Sequence, residues 1–171
     1  YEYSDFLTVN KNTPDHSLIV TAGGINIAAE KLGTGMYADY PTVDPEWVIM
    51  ENPDIIVKIE YRAAQGYEVD DPTEMKEVWE SVMNRPGFAY ISAVDNERVY
   101  IVSTELTHGH LTHFVHLAYL AKWFHPELFE DLDPKAMFQE YLTRFQGLDY
   151  DLDKHGVFAV SYTHLTLPTK A

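Results

Sequence analysis

The sequence predicts an α/β domain in which a mainly parallel sheet is covered by helices on both faces, the doubly wound arrangement. Three apolar runs indicate such a sheet because they are continuous rather than alternating, as in strands buried on both faces. Helix starts of one repeated form separate them. The chain has 171 residues, 46% of them hydrophobic, which is enough for one buried core. The runs are Ile25–Ala29, Ile55–Val57 with Ile59, and Val99–Val102.

The repeated helix start is an Asp or Thr followed by Pro. The first side chain can cap the helix, and the fixed φ of proline suits the first helical position. In one of these starts Glu74 follows Asp71 by three residues, as in a capping box. We expect the first helix to end at Gly23-Gly24 and the second at Asn52-Pro53. The four starts are Thr13-Pro14, Asp44-Pro45, Asp71-Pro72 and Asp133-Pro134.

Two longer helices are predicted after the last apolar run. One spans about His110 to Phe124 and is apolar around much of its circumference, so we expect it to be largely buried. The other spans about Pro134 to Phe145. The tail Ser161–Ala171 has no acidic residue after a strongly acidic stretch. It resembles translated sequencing-adapter read-through, and we therefore hypothesise that it is not native.

Composition bears on the class of partner. Twelve basic against 27 acidic side chains give a formal charge of -15. Polyanions attract Lys- and Arg-rich surfaces, so this composition argues against nucleic acid and anionic membrane surfaces as partners. The sequence has no cysteine, which excludes disulfides and thiolate metal sites. No apolar run approaches the ~18 residues that a membrane-spanning helix needs.

Several segments together resemble the second half of the substrate-binding proteins of ABC importers for siderophores, haem and cobalamin. Their order and spacing are those of that family, whose members have two α/β lobes joined by a rigid helix, with the ligand in the cleft between them. The resemblance implies that residues 1–160 form the C-terminal, Rossmann-like lobe and that the first lobe is missing from this sequence. The segments are Thr21–Ala28, Val43–Val57, Arg98–Val102, Leu117–Glu127, Phe129–Pro134, Phe145–Gly147 and Gly156–Phe158.

The resemblance also implies a function without catalysis. A protein of this family binds an iron–siderophore complex, haem or cobalamin and delivers it to an ABC permease in the membrane. It has no resident cofactor, because the iron chelate, haem or corrinoid is its cargo. The implied location is extracytoplasmic, either periplasmic or lipid-anchored at the cell surface, with a targeting segment outside this sequence.

Glu46 is the candidate for docking to the permease. In the resembled family an acid at the matching position of each lobe pairs with arginines of the permease, which implies this role for Glu46. A charge-assisted Arg–carboxylate pair is strong and directional, as a reversible docking contact requires. The alternative is that Glu46, near the start of the second short helix, only stabilises the positive end of the helix dipole.

The densest group of potential metal ligands is the segment Thr107–His116, which holds four of the eight histidines. Neutral imidazole is the commonest metal ligand near pH 7. If a helix starts near His110, then His110, His113 and His116 are successive positions about 60° apart on its surface. Two adjacent members can share one metal. The candidate metal ligands are His108, His110 and His113.

The resemblance places this loop and helix start at the ligand cleft, where the family often has an arginine in a Gly-Pro-Arg-like element. Histidines replace that element here, which favours haem, a metal ion or a chelate with an exposed metal over an anionic siderophore. His108 and His110 are therefore the predicted ligand-binding histidines. His113 and His116 are expected to be packed or surface residues of the helix.

Two further regions follow predicted strands and are candidates for the same cleft, because ligands of doubly wound sheets bind beyond the carboxyl ends of strands. The loop of residues 4–12 contains Phe6, and Tyr61 and Arg62 come directly after the strand that ends near Glu60. Arg62 supplies a positive charge for a carboxylate of the ligand. The alternative is that Tyr61 and Arg62 form an ordinary surface pair.

A metal-dependent hydrolase is the alternative function. In that case the His108–His116 cluster holds a cation that activates water, and Glu105 is the general base. The spacing is not that of His-Glu-x-x-His, and Glu105 precedes the predicted helix, so the sequence favours the binding protein. Metal-dependent turnover of an ester or peptide distinguishes the hydrolase from a protein that only binds.

Overall fold

The computed structural model describes residues 1–2, 5–32, 39–108 and 111–161. In these residues the centre is a sheet with the strand order β1-β2-β3. Strands β1 (Ile56–Glu60) and β2 (Val99–Ser103) are parallel, and β3 (Ala159–Val160) pairs with β2 in the antiparallel direction. The predicted α/β class with a mainly parallel sheet is confirmed. The sequence does not predict β3, because two residues are too few to show a pattern.

Helices account for most of the remaining regular structure. A 3₁₀ turn at Phe88–Tyr90 precedes α5, and a π-helical turn at Tyr141–Phe145 extends α8. The described helices are α1 (Pro14–Thr21), α2 (Ile27–Lys31), α3 (Pro45–Glu51), α4 (Thr73–Met83), α5 (Ser92–Asp95), α6 (Thr104–Thr107), α7 (His113–Phe124) and α8 (Pro134–Glu140).

Side-chain caps confirm three of the four predicted helix starts. Thr13, Asp44 and Asp133 accept backbone N–H groups in the first turns of α1, α3 and α8. The fourth start differs from the prediction. Asp71 accepts the N–H of Thr73 at 3.0 Å, but Glu74 does not close a capping box. Its carboxylate instead accepts the N–H of Ala64 at 2.8 Å, so a tertiary contact replaces the local one.

Two sequence predictions about local structure are wrong. The run Ile25–Ala29 forms no strand, because Asn26 caps α2 by accepting the N–H groups of Ala28 at 3.1 Å and Ala29 at 3.5 Å. The long buried helix begins at His113 rather than near His110. His110 itself lies outside the described residues. The Asn26 cap makes residues 27–31 helical, and the apolar content of the run alone does not reveal this cap.

The sheet separates two apolar clusters, as expected of a doubly wound arrangement. Alternate residues of β1 serve the two sides, since Val57 and Ile59 join one cluster and Ile56 joins the other. The first cluster, cluster A, contains residues of α7 and α8 such as Leu120 and Phe138. The second, cluster B, contains residues of α4, α5 and the 3₁₀ turn: Met75, Trp79, Val82, Phe88, Ala93 and Val94.

Helix α1 ends at Thr21, as predicted from the pair Gly23-Gly24. Gly23 has a φ of +81°, which is the left-handed conformation that favours glycine. A Cβ atom at Gly24 would lie 2.4 Å from Cε2 of Phe124. The glycine pair therefore lets the end of α1 pack directly against the end of α7.

Candidate functional site

The carboxyl ends of β1 and β2 lie side by side, because the two strands are parallel and Glu60 is in register with Ser103. The segments that follow them, together with the start of α7, form what we call the strand-end surface. It consists of residues 61–67, 104–108 and 111–113. In doubly wound sheets this edge is where ligands bind.

Glu60 organises the backbone of the first segment. Its buried carboxylate accepts the N–H groups of Tyr61 at 2.9 Å, Arg62 at 2.5 Å and Ala63 at 3.1 Å. Successive N–H groups that converge in this way form an anion-binding concavity. Here the anion is the protein's own side chain. These three N–H groups are therefore already occupied by the carboxylate of Glu60.

Tyr61 and Arg62 are both exposed, and the Cζ atom of Arg62 lies 5.1 Å from the centre of the Tyr61 ring. This cation–π contact orients the guanidinium. Within the described residues Arg62 takes part in no salt bridge closer than 4.0 Å. The pair borders a cavity of about 240 Å³, whose lining includes Asp5, Lys58 and Ser81.

A polar bridge ties the two strand ends together. The Oγ of Ser103 donates to Oε1 of Gln65, and Nε2 of Gln65 donates to Oγ1 of Thr104 at 3.0 Å. Ser103 Oγ also caps α6 by accepting the N–H of Glu105 at 3.0 Å. The loop after β1 is therefore held against the first turn after β2, which gives this part of the surface a fixed shape.

Tyr67 and Glu105 lie near one another on this surface. Burial, and then the charge of Glu105, raise the pKa of Tyr67 to about 12, so its hydroxyl keeps its proton at neutral pH. Gly66 has a φ of +86°, and a Cβ atom there would lie 2.7 Å from Cγ of Glu105. Sequence reasoning missed Tyr67 and Gln65 as surface residues. Their place in the segment directly after β1 is the signal that could have found them.

The described histidines do not converge on one point. His108 is exposed at the end of α6, whereas Nε2 of His113 lies 2.7 Å from the carbonyl oxygen of Thr107. His116 is fully buried, with its Nε2 3.2 Å from the hydroxyl of Tyr1. Among the described residues no group of three or more His, Asp or Glu is placed to hold a metal ion. They therefore give no support to the metal-dependent hydrolase.

Burial also fixes the charge of His116. Desolvation, and then the charges of His113 and His108, lower the pKa of His116 to about 3. Its Nδ1 has no hydrogen-bond partner in the described structure. The side chain is therefore a neutral part of the core at physiological pH. The metal-ligand prediction for His108, His110 and His113 stays a prediction, because His110 lies outside the described residues.

Phe6 packs on cluster B. Its ring meets Phe88 edge-on at 6.0 Å, and the Cζ of Arg85 lies 4.7 Å from its centre. Arg85 in turn binds both carboxylate oxygens of Glu2, at 2.6 and 2.7 Å. Phe6 thus helps to fix the chain beside β1. Its predicted role as a ligand contact stays a prediction.

Glu46 is exposed in the first turn of α3. Asp44 caps this helix by accepting the N–H of Glu46 at 3.0 Å. A hydrogen bond between the two carboxyl groups raises the pKa of Glu46 and lowers the pKa of Asp44. The position is accessible to a partner, as the docking prediction requires, and it also suits the simpler role at the helix terminus.

Comparisons with solved structures identify the fold. A TroA-like periplasmic binding protein, FepB from Veillonella parvula, is similar to this chain with a TM-score of 0.74 and 24% identity, over 90% of this chain and 43% of its own. CeuE from Helicobacter pylori with Ni(II) bound is similar with a TM-score of 0.66 and 21% identity, over 87% of this chain and 44% of its own. The molybdate-binding protein MolA from Haemophilus influenzae is similar with a TM-score of 0.61 and 21% identity, over 88% of this chain and 42% of its own.

No family model and no curated protein matches the sequence. The chain spans less than half the length of the solved structures that it resembles. It therefore has the fold of one α/β lobe of a TroA-like periplasmic binding protein, which confirms the family resemblance at the level of the fold. Within the described residues no helix is both long and apolar enough to span a membrane.

Proposed function

We propose that this chain is the C-terminal lobe of the substrate-binding component of an ABC importer. In this role it binds a metal chelate outside the cytoplasm, without chemical turnover, and delivers it to the membrane permease. The observation that carries the proposal is the match of 90% of the chain to FepB with a TM-score of 0.74. Three solved proteins with this fold are named as periplasmic binding proteins or as having Ni(II) or molybdate bound.

The strand-end surface supports an iron complex, haem or a corrinoid as the ligand. Tyr61 and Tyr67 offer aromatic surface for a large conjugated or macrocyclic ligand. Arg62 offers an oriented guanidinium for a carboxylate, and exposed His108 offers an imidazole for an accessible metal. Because a ligand gripped by two lobes loses contacts when one is absent, this surface supplies only part of the binding free energy.

The full-length protein is the right material for a binding test. We expect haemin, cyanocobalamin or a ferric catecholate siderophore to quench its tryptophan fluorescence with saturation. The double variant with His108→Ala and His110→Ala is expected to weaken that affinity at least tenfold. His125→Ala is the matched control, since His125 lies beside Gly23 at the other end of the lobe. Unchanged affinity in the double variant contradicts the role of these histidines, and failure of every chelate to bind contradicts the proposed function.

Docking calls for a different readout. Glu46→Gln removes the charge but keeps the size of the side chain, so we expect unchanged ligand affinity and reduced transport by the reconstituted importer. Glu77→Gln on α4 is the control, because Glu77 is also exposed. Transport that falls equally in both variants, or a loss of ligand binding in Glu46→Gln, contradicts docking through Glu46.

A further inference from the structure

The cavity of about 240 Å³ beside Tyr61 receives lining residues from both strand β1 and helix α4. Lys58 and Glu60 belong to β1 and share one face of it, since they are two residues apart. Val78 and Ser81 belong to α4. The volume is below the about 300 Å³ at which pockets for drug-sized ligands begin. An occupant of this cavity is therefore a small molecule.

Lys58 is a buried cation whose charge is only partly offset. It is 5% exposed, and its ammonium donates to Oε1 of Glu2 at 3.1 Å. Glu2 is shared, because its two carboxylate oxygens also accept from Arg85. The carboxylate of Asp5 is exposed and 4.0 Å from Nζ of Lys58. An ammonium has three donors, so two N–H groups of Lys58 have no hydrogen-bond partner among the described residues.

Glu60 is a buried anion with one oxygen to spare. It is 6% exposed, and the three backbone N–H groups that it accepts all bind Oε1. In the part of the chain that the structure describes, Oε2 has no hydrogen-bond partner. There the only side-chain nitrogen or oxygen that is both partnerless and sealed from solvent is Nδ1 of His116. Oε2 therefore still reaches open space, and the cavity is the open space that Glu60 lines.

Lys58 and Glu60 line the same cavity without satisfying each other. No salt bridge within 4.0 Å joins them in the described structure. Because buried charges are costly unless they are paired and hydrogen-bonded, each of them gains from a bound group of opposite charge. Arg62 and Asp5 add one further charge of each sign to the lining. A ligand with one charge upsets this balance, whereas a zwitterion preserves it.

We propose that this cavity binds a small α-amino acid with an uncharged side chain. The carboxylate of the ligand accepts from Lys58, and its ammonium donates to Oε2 of Glu60. A free α-amino acid carries both charges at neutral pH. Ala63 and Val78 supply apolar lining for a short aliphatic side chain. This site goes beyond the proposed function, because it needs no metal chelate and is formed by residues of one lobe.

The test measures the binding of radiolabelled L-alanine to the full-length protein, without any chelate, by equilibrium dialysis. Propionate and ethylamine are the competitors, since each keeps one of the two charges. We expect saturable binding of L-alanine and at least about tenfold weaker competition by either analogue, because each analogue lacks one charge-assisted contact. Failure of every chelate to bind leaves this result unaffected, so the two proposals fail separately.

Two variants locate the site. Glu60→Gln keeps an oxygen for the three N–H groups and replaces Oε2 by an amide nitrogen, which donates instead of accepting. Ser81→Phe fills the cavity from an exposed position of α4 and leaves the charged groups in place. We expect each variant to weaken the binding of L-alanine at least about tenfold. Glu80→Gln is the matched control, because Glu80 is exposed on α4 and does not line the cavity.

The absence of saturable L-alanine binding in the millimolar range overturns the proposal. So does an affinity that stays unchanged in either Glu60→Gln or Ser81→Phe, or one that falls equally in Glu80→Gln. Propionate or ethylamine that competes as well as L-alanine also overturns it, because the cavity would then recognise a single charge. Ser81→Phe keeps the test decisive if Glu60→Gln does not fold.

Discussion

The two ends of β1 differ in how their polar groups are satisfied. At the carboxyl end the buried carboxylate of Glu60 accepts three successive N–H groups of the following loop. At the amino end Ile55, Ile56 and Val57 line a cavity of about 430 Å³. One end is completed by side chains of its own sequence neighbours. The other end borders a cavity whose lining also includes Asp54, Arg98 and His125.

This contrast explains why the larger cavity is not the best candidate for the ligand site. The larger cavity lies at the start of β1, whereas ligands of doubly wound sheets bind beyond the carboxyl ends of strands. The smaller cavity at the carboxyl end has the exposed guanidinium of Arg62 and the ring of Tyr61 at its border. The smaller cavity therefore lies at the edge where doubly wound sheets bind ligands.

Loss of the Glu60 carboxylate is expected to have the largest effect on stability. Glu60→Ala leaves three N–H donors without their acceptor in a half-buried place, which we expect to lower the free energy of unfolding by about 3 kcal/mol. Glu74→Ala is the control, because this exposed side chain accepts a single N–H, that of Ala64, among the described residues. Urea unfolding measures both. Equal losses in the two variants contradict the organising role of Glu60.

The second prediction concerns the buried His116, which lies between Tyr1 and the histidines of the strand-end surface. Its ring contacts Tyr1, which lines the larger cavity, and the charges of His113 and His108 on the strand-end surface act on it. Burial lowers the pKa of His116 from the ordinary histidine value of 6.5 to about 3 in the folded protein. The unfolded chain therefore binds the extra proton between these pH values, so this contribution to stability is complete above pH 6.5 and is lost as the pH falls.

Urea unfolding at pH 7 and pH 5 tests this sign. We expect the change from pH 7 to pH 5 to cost about 2 kcal/mol through His116. His116→Gln is expected to remove that part of the pH dependence, because a neutral amide has no proton to gain. His155→Gln, at an exposed histidine, is expected to keep it. An unchanged slope in His116→Gln contradicts the buried neutral imidazole.

A smaller effect on stability is expected at Gly23, which packs beside the end of α7. Gly23 and Gly147 both have left-handed φ values, +81° and +65°. A Cβ atom at Gly23 would lie 2.6 Å from Nε2 of His125, whereas one at Gly147 meets nothing within 4 Å. We expect Gly147→Ala to cost about 1 kcal/mol through backbone strain alone and Gly23→Ala about 1 kcal/mol more. Equal costs by thermal unfolding contradict tight packing between α1 and α7.

The smallest effect on stability is expected at Arg62. Its side chain is exposed and contacts the Tyr61 ring, so Arg62→Gln should change the free energy of unfolding by less than about 0.5 kcal/mol. Affinity of the full-length protein for haemin, whose propionates are anionic, should fall. Arg144→Gln, at another exposed arginine, is the control. A loss of stability above about 1 kcal/mol would show a structural role for Arg62 instead.

Local signals predicted much of the fold correctly. Asp44-Pro45 and Asp133-Pro134 start helices because the cap and the proline lie next to each other in sequence. The runs around Ile56 and Val99 form adjacent parallel strands. The run Ile25–Ala29 was predicted wrongly, because Asn26 both caps α2 and donates to the distant carbonyl of Val9 at 3.0 Å. Whether this run forms a strand or a helix depends on the contact with Val9, which sequence periodicity does not identify.

The candidate site was less predictable than the fold. The sequence drew attention to the histidines, yet His116 belongs to the core and His113 is hydrogen-bonded to the carbonyl oxygen of Thr107. Gln65 and Tyr67 have no motif around them. They reach the strand-end surface because β1 and β2 end in register, which is a property of strand pairing.

By itself the sequence determined the class of fold, the helix starts and the two parallel strands, because caps, prolines and continuous apolar runs act over a few residues. The tertiary structure decided which polar groups are satisfied and which remain open. Glu74 accepts the N–H of Ala64 rather than capping its own helix, and His116 is neutral in the core. Each of these outcomes depends on groups that are distant in sequence and adjacent in space.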